Sequence, residues 1–345
     1  WSPQVERWRL APDGRRRSRP IIVAGQLVMA ALLAVLALAS PGQSLVWLFA
    51  GLAVIALVAS TVDIAADGYM IQHLEPAQRG WGNVAQVGGG YAGIMLGTGL
   101  FLVLVGWHGW QAAMLAMAVL AVALTLPCLA TREPSGDAET QAAHRPSLSH
   151  ALRRPAIRWG VLAVILCQLG LRLTQGMTGP FMIDNGITPA QLGLLTGTLG
   201  TALCLGCVLL VGLPIRRWGA RPVLFALLGL QVVLFTLFWG AAAFPVSGIF
   251  LAGVFLAKSA VIAASFVALY TVAMDWTSPH QAGVDFTLLQ CADSLVAAVA
   301  GLGAGVIAQH LGYQACFGLA AGSVVFCLLL LPRVFARASG ESDDV

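Results

Sequence analysis

Charged residues are scarce in this chain of 345 residues, since Asp, Glu, Lys and Arg together make up only 10% of it. Soluble globular domains carry about a quarter charged residues, so the composition excludes an ordinary water-soluble fold. Hydrophobic residues account for 58% of the chain, and the mean hydropathy is +0.83. The composition therefore predicts a protein that is embedded in a lipid bilayer.

The chain also lacks the motifs of several kinds of chemistry. It has no glycine-rich phosphate loop followed by a Lys, and no predicted helix carries paired His residues at metal-ligand spacing. No Ser or Cys lies near a His within a predicted span, so we expect no catalytic residue, metal or cofactor. The seven cysteines lie within spans or at their ends, which leaves no extracellular disulfide framework. A polytopic membrane enzyme and a sensor therefore stay only as remote alternatives.

Long apolar windows recur along nearly the whole chain. Each has about 20 residues, which is enough for a helix to cross a hydrocarbon core of about 30 Å. The sequence predicts an all-α membrane protein with ten visible spans, at 20–40, 45–72, 81–105, 110–130, 155–183, 189–215, 222–243, 248–274, 281–309 and 312–331.

The basic residues are distributed very unevenly between the two sides of these spans. Of the 19, all but Arg172 and Lys258 fall in the termini and alternate connections or within a few residues of them, and these share one side if every span crosses. The positive-inside rule places that side, with both visible termini, in the cytoplasm. The net charge of +4 thus reflects membrane topology, and we expect no nucleic-acid partner.

Short internal matches divide the chain into two halves of the same topology. Gln-Arg-Gly at 78–80 matches Gln-Ala-Gly at 281–283, and Gly-Trp-Gln-Ala at 109–112 matches Gly-Tyr-Gln-Ala at 312–315, both at an offset of 203. We expect an incomplete N-terminal bundle of four spans at 1–130, a cytoplasmic linker at 131–154, a C-terminal six-helix bundle at 155–335 and a cytoplasmic tail at 336–345. If each half has six spans, the first two helices are missing.

Several motifs resemble a known transporter family. Trp-Ser-Pro-Gln-Val-Glu-Arg-Trp at 1–8, with Gly-Arg-Arg-Arg at 14–17, resembles the loop between the second and third helices of major facilitator superfamily transporters. Asp-Ile-Ala-Ala-Asp-Gly-Tyr at 63–69, Gln-Arg-Gly-Trp-Gly-Asn at 78–83 and Gln-Val-Gly-Gly at 86–89 resemble AmpG muropeptide permeases and RhtX/FptX-type siderophore importers. The siderophore importers are favoured, because Tyr91 is followed by Ala92 where the permeases tend to carry Tyr-Arg.

This resemblance implies a major facilitator fold of two pseudo-symmetric six-helix bundles around a central cavity, working by alternating access. It implies a monomer in the bacterial cytoplasmic (inner) membrane that imports a ferric siderophore, with an AmpG-like muropeptide permease as the alternative. Because no nucleotide-binding motif is present, a proton gradient is the default energy source and protons are the expected co-substrate.

Two aspartates near the end of the second visible span form the candidate proton or gating site. Asp63 and Asp67 are four residues apart, which stacks them on one helix face. An ionised carboxylate is costly in hydrocarbon, so at least one of the pair is expected to be protonated. The alternative is that the helix ends near Ala66 and both acids lie at the wet boundary. Glu6 and Arg7, in the loop-like opening segment, complete this predicted site.

Charged and amide side chains within the later spans are the candidates for the substrate cavity. Arg172 needs a partner or a watery cavity, and its planar fork suits a substrate carboxylate or phenolate. A structural pair with Asp293 is the rival explanation, and Lys258 is a second possible partner of Asp293. The polar amides that could line the substrate path are Gln86, Gln290, Gln168 and Gln175.

Overall fold

A computed structural model describes residues 1–10, 15–38, 45–130, 133 and 146–338. Most of the predicted linker (131–132 and 134–145) and most of the predicted tail (339–345) lie outside the described residues. The helices are α1 Ser2–Arg9, α2 Ser18–Leu38, α3 Leu45–His73, α4 Arg79–Ile94, α5 Phe101–Ala123, α6 Leu126–Ala130, α7 Leu148–Arg153, α8 Pro155–Asp184, α9 Pro189–Gly193, α10 Gly200–Trp218, α11 Ala220–Ala243, α12 Gly248–Asp275 and α13 Ala282–Ala338.

Eight helical stretches in the described part of the chain are long and apolar enough to cross a membrane. Two of them, Pro76–Ala130 and Ala282–Ala338, have 55 and 57 residues. At 1.5 Å per residue each is about 80 Å long, more than twice a hydrocarbon core of about 30 Å. Each is interrupted by a glycine with φ of 80°, Gly109 or Gly312, beside a connection predicted from the sequence. The prediction of an all-α membrane protein is confirmed.

Local residue chemistry accounts for several helix boundaries. Pro155 and Pro189 are the first residues of α8 and α9. Proline suits this position because the N–H that it lacks would have no partner within the helix. The Thr188 hydroxyl accepts a bond from the Gln191 backbone N–H, and the Gln191 side chain caps Thr188 in return. Gly219, with φ of 88°, ends α10 and lets α11 begin two residues before the predicted start at 222.

The described helices fall into two compact units, the first of which comprises Trp1–His73, Ile94–Ala151 and Ser278–Thr287. In this unit α2 packs against both α3 and α5. Leu36, Ala37 and Met114 form a buried cluster between α2 and α5. The Trp110 indole N–H donates to the Leu36 carbonyl at 3.1 Å, so the aromatic ring that covers this cluster also has its polar atom bonded.

The second unit comprises Leu74–Gly93, Leu152–Thr277 and Leu288–Val345. Here α12 packs against α10 and α11, and it is the most deeply enclosed of these helices. Three rings from different helices meet in its core, with Phe181 5.2 Å from Phe317 and Phe238 5.3 Å from Phe317 between centroids. This unit holds the charged residues of the later spans in a rigid, well-packed surrounding.

Gly170 lies at a close helix approach in this second unit, where α8 meets the last part of α13. A Cβ atom at Gly170 would lie 2.6 Å from the Ala320 carbonyl oxygen and 2.6 Å from the Ser323 hydroxyl. We therefore expect Gly170→Ala to lower the free energy of unfolding by about 1–3 kcal/mol through overpacking. Thermal unfolding in detergent measures this effect. Gly176→Ala is the matched control on the same helix, because its Cβ would meet its nearest neighbour at an ordinary 3.6 Å.

Candidate functional site

A buried ion pair holds the first helix of the chain. The Arg9 guanidinium donates to both carboxylate oxygens of Glu6, from Nε at 2.9 Å and from Nη2 at 2.6 Å. Both side chains are fully buried. Two parallel bonds of this kind fix orientation as well as charge, so α1 presents the pair in one geometry. We call Glu6, Arg9 and the side chains bonded to them the Glu6 cluster.

The Glu6 cluster is completed by groups from three other segments of the first unit. Arg9 Nη1 donates to the Gln72 side-chain oxygen at 2.7 Å and to the Ser18 hydroxyl at 3.3 Å. The backbone N–H of Gly283 donates to Glu6 at 3.3 Å, so the N-terminus of α13 points at the carboxylate. A helix N-terminus stabilises a negative charge, which makes this contact sensitive to the charge of Glu6.

The positive charge of the Glu6 cluster extends to a neighbouring arginine outside the spans. Burial and the nearby charge of Arg9 lower the pKa of Arg16 from its ordinary value, while the Glu133 carboxylate opposes this shift. The Glu6 cluster and the neighbouring Arg16 therefore bring like charges together, and the Glu6 and Glu133 carboxylates balance them.

The structure separates the two predicted aspartates by their environment. Asp67 is buried, 2% exposed, because α1 packs over this face of α3, whereas Asp63 one turn earlier is exposed. The residue after Asp67 is Gly68, where a Cβ would lie 2.7 Å from the Arg9 guanidinium carbon. Asp67 thus precedes a residue in contact with the Glu6 cluster, and Asp63 is exposed one turn earlier on α3.

The arginine that pairs with Glu6 is Arg9 and not Arg7, the arginine of the site predicted from the sequence. Arg7 is exposed, and its nearest bond is a long 3.5 Å contact to the Pro146 carbonyl. Arg9, which the sequence patterns do not single out, carries the ion pair. The signal for it is the i, i+3 spacing of Glu6 and Arg9, which is informative only once 2–9 is known to be a helix and not a loop.

A second charged group, which we call the Arg172 cluster, lies in the second unit. Arg172 on α8 donates from Nη2 to both Asp293 oxygens at 2.7 Å and from Nε at 3.1 Å. Its Nη1 donates to Gln175 at 3.1 Å. The Phe266 ring lies 5.4 Å from the guanidinium carbon, and the Tyr270 hydroxyl reaches Asp293 at 3.5 Å. Asp293 therefore neutralises Arg172 directly.

Lys258 does not pair with Asp293, which corrects the possibility raised from the sequence. Asp293 is occupied by Arg172, whose side chain reaches it from α8 with three hydrogen bonds. The Lys258 Nζ instead donates to the Thr178 hydroxyl at 2.8 Å. Their positions in the sequence allow either Lys258 or Arg172 to pair with Asp293, and only the packing of the helices distinguishes the two possibilities.

The four predicted glutamines all lie in the second unit, in different surroundings. Gln168 is buried one turn before Arg172, and among the described residues its side-chain nitrogen has no hydrogen-bond partner. Gln175 is exposed and bonded to Arg172, while Gln86 and Gln290 are half-buried. Gln168 and Gln175 thus join the Arg172 cluster as a polar face of α8.

The motif around Gln78–Asn83 supplies contacts that the sequence does not reveal. Arg79 pairs with Asp275 at the end of α12, with Nη1 and Oδ1 2.5 Å apart. Asn83 is fully buried and donates to the Arg79 carbonyl at 3.0 Å and to the Thr271 hydroxyl at 3.3 Å. The start of α4 and the end of α12 are therefore joined by one polar network beside a cavity of about 360 Å³.

No group of three or more His, Cys, Asp or Glu side chains suited to a metal ion occurs among the described residues. The two clusters instead offer paired charges, which can bind an anionic group or exchange a proton. That chemistry suits the movement of a solute.

Comparison with known families decides the class of protein. The profile of the Major Facilitator Superfamily matches residues 13–183 and 164–344. The chain belongs to the major facilitator superfamily. Members of this superfamily are transporters that carry small molecules through the lipid bilayer, often with ion coupling, and they are generally not enzymes.

Solved structures share the fold of this major facilitator protein. The E. coli fucose:proton symporter FucP has a TM-score of 0.71 at 16% identity, covering 94% of this chain and 84% of that one. The human organic anion transporter MFSD10 has a TM-score of 0.65 at 21% identity, covering 95% and 82%. A bacterial homologue of the iron transporter ferroportin, in an outward-facing state, has a TM-score of 0.62 at 17% identity, covering 98% and 86%. The predicted major facilitator fold is confirmed.

One sequence relative matches over a shorter stretch. The Bacillus subtilis (strain 168) protein YoaB is 34% identical over 92 residues, which are 27% of this chain and 20% of that protein. The match thus spans one fifth of the relative's length. Together with the family match, the apolar helices establish a multi-pass integral membrane protein of the major facilitator superfamily.

Proposed function

We propose that this transporter imports a ferric siderophore together with protons across the bacterial inner membrane. Both visible termini lie in the cytoplasm in this proposal, as the basic residues indicate. The functional division follows an N-terminal bundle at 1–130, a linker at 131–154, a C-terminal bundle at 155–335 and a tail at 336–345. The chain acts as a monomer and has no catalytic role.

The Arg172 cluster is the observation that carries this proposal. Arg172 is 18% exposed and lies mid-helix, and an ionisable side chain at such a position marks a candidate substrate path. Its Nη1 faces the exposed Gln175, so an anionic group can approach from that side without first displacing Asp293. Carboxylate and phenolate oxygens, which siderophores carry, match the planar donors of a guanidinium.

A muropeptide is the second candidate substrate, because it also carries carboxylates. The motifs around Gly82-Asn83 and Gln86-Val87 favour the siderophore, since they resemble the RhtX/FptX-type importers. Direct transport distinguishes the two. We expect the protein in an import-deficient host to take up labelled ferric siderophore, to take up little labelled anhydromuropeptide, and to lose uptake when a protonophore is added. Muropeptide uptake alone would reverse the assignment, and siderophore uptake that resists the protonophore would refute proton coupling.

The Glu6 cluster and the two aspartates are proposed to couple protons to the conformational change. Glu6 is held by Arg9 and by the N-terminus of α13 at once, so protonation of a neighbouring carboxylate changes the charge balance of both contacts. Asp67 precedes a residue in contact with this cluster, and Asp63 is exposed for proton exchange. In this proposal Asp63 receives the proton and the Glu6 cluster gates the conformational change.

Asp63→Asn is expected to abolish proton-driven uptake while leaving membrane abundance normal, because the amide cannot be ionised but keeps the size of the side chain. Uptake of labelled ferric siderophore and the amount of protein in membrane fractions are measured in parallel. Ser60→Ala is the matched control one turn earlier on α3, since the Ser60 hydroxyl, in the described part of the chain, bonds only to the Leu57 carbonyl of its own helix. Unaltered transport by the Asp63 variant would exclude it as the proton site.

A further inference from the structure

Lysine is nearly absent from this chain. Of its 19 basic residues 18 are Arg, and Lys258 is the only Lys. The chain uses Arg at every loop and terminus where a fixed positive charge sets topology, and it places its one Lys within a membrane helix. Arg stays protonated at all physiological pH values, whereas a buried Lys can release its proton. The choice of residue type is therefore informative at this position.

The surroundings of Lys258 are almost entirely apolar. Lys258 is 3% exposed on α12, and Thr178 of α8 provides its one hydrogen bond to a side chain among the described residues. The Phe238 ring of α11 lies 5.5 Å from Nζ, and the Phe255 ring, one turn earlier on α12, lies 5.2 Å from it. The Thr178 hydroxyl gives its own proton to the Thr174 carbonyl at 2.6 Å, so its lone pairs are free to accept from Lys258.

No fixed anion holds the Lys258 charge. In the described part of the chain, no carboxylate oxygen lies within 4.0 Å of Nζ. The helices packed against α12 place their charged groups elsewhere: α8 has Arg172 paired with Asp293 and Asp184 bonded to Tyr313, α11 has Arg221 in its first turn, and α10 has Cys204, Cys207, Arg216 and Arg217.

This environment accommodates both forms of the amine. Burial in an apolar core disfavours the ammonium, while the faces of two aromatic rings attract it and reduce that penalty. The Thr178 oxygen accepts an N–H from either form. A carboxylate in contact would hold the proton permanently, and its absence leaves the amine able to gain and lose one.

We propose that Lys258 is a proton-carrying site of the transport cycle, in which the neutral amine binds one proton as an ammonium when the site opens to one side and releases it on the other. The step adds one positive charge to the site and removes it again, with no other reactant. This inference rests on the proposed proton coupling and adds to it a site separate from Asp63, Asp67 and the Glu6 cluster.

A titration of the single lysine tests the proposal without a transported substrate. The protein is produced with ε-¹³C-lysine and reconstituted in nanodiscs, where one side-chain resonance is expected and Lys258→Met removes it. As the pH is raised from about 5 to about 9, below the titration of an ordinary Lys, the resonance is expected to move from the ammonium to the amine position. A resonance that stays at the ammonium position throughout would overturn the proposal, as would one that stays at the amine position.

Transport by variants provides the second arm. An inward gradient of one pH unit, about 1.4 kcal/mol per proton, supports about tenfold accumulation of labelled ferric siderophore in proteoliposomes. Both Lys258→Met, which is never charged, and Lys258→Arg, which always is, are expected to lose this accumulation, while Lys258→Met keeps downhill flux. Ser259→Ala, whose hydroxyl donates to the Phe255 carbonyl of its own helix, is the control. Wild-type accumulation by either Lys258 variant would overturn the proposal. Should the wild-type protein carry no siderophore, the proposed function fails and the titration alone decides on Lys258.

Discussion

Asp293→Ala is expected to lower the free energy of unfolding by about 3 kcal/mol or more, because it leaves the Arg172 guanidinium in a membrane helix without its counter-charge. Three hydrogen bonds are lost at once, and Gln175 alone cannot neutralise the charge. Thermal unfolding of the purified protein in detergent measures the loss, with the amount of protein in membranes as a second readout.

A double variant separates the stability of the Arg172 cluster from its function. Replacement of both charges, as Arg172→Met with Asp293→Leu, removes the unpaired charge and is expected to restore much of the stability, since buried ion pairs are often replaceable by apolar pairs. The same variant is expected to take up no ferric siderophore, because the guanidinium that binds the anionic group is gone. Uptake at the wild-type rate would show that the ion pair is purely structural.

Arg9→Met is expected to produce the second large effect, with about 3–5 kcal/mol lost from the free energy of unfolding and no transport. Glu6 is fully buried and, among the described residues, would keep only the Gly283 backbone N–H as its partner. An uncompensated carboxylate in such a place is strongly destabilising. Folding of the variant is followed by thermal unfolding, and its activity by uptake of labelled ferric siderophore.

Arg7→Met is the control, since it removes the same side chain two residues away on the same helix. Arg7 is exposed and makes one long contact to a carbonyl, so we expect its replacement to change the free energy of unfolding by about 0.5 kcal/mol or less. Equal effects of the two substitutions would contradict the assignment of the ion pair to Arg9.

The double variant Arg9→Met with Glu6→Gln is expected to recover part of the stability that Arg9→Met alone loses, because the uncompensated charge is removed.

The two aspartates of α3 and their counterparts in the other half of the chain show how far sequence comparison reaches. At the offset of 203, Asp63 and Asp67 correspond to Phe266 and Tyr270. The structure places Phe266 against the Arg172 guanidinium and Tyr270 within reach of Asp293. The sequence shows directly that the second half has no carboxylate at these two positions. It could not predict that they flank an ion pair, because the partners come from α8 and α13, far along the chain.

The sequence by itself determined the membrane class, the all-α fold and several of the places where helices begin and break. These follow from local properties, namely the length of the apolar runs, proline in the first helical turn and the glycines at 109 and 312. Such properties do not depend on how the helices pack together. The resemblance to major facilitator transporters rested on motifs of the same local kind, and the family match confirmed it.

Only the tertiary structure decided which charges meet. Arg172 rather than Lys258 holds Asp293, Arg9 rather than Arg7 holds Glu6, and Asp67 is buried while Asp63 is not. Each of these outcomes depends on the rotation and approach of helices distant in sequence, which apolar periodicity leaves undetermined when a helix is hydrophobic on all sides. A membrane solvates charges poorly, so the free-energy cost of each ionised group depends on the partner that it finds. The choice of partners therefore decides which residues form the candidate functional site.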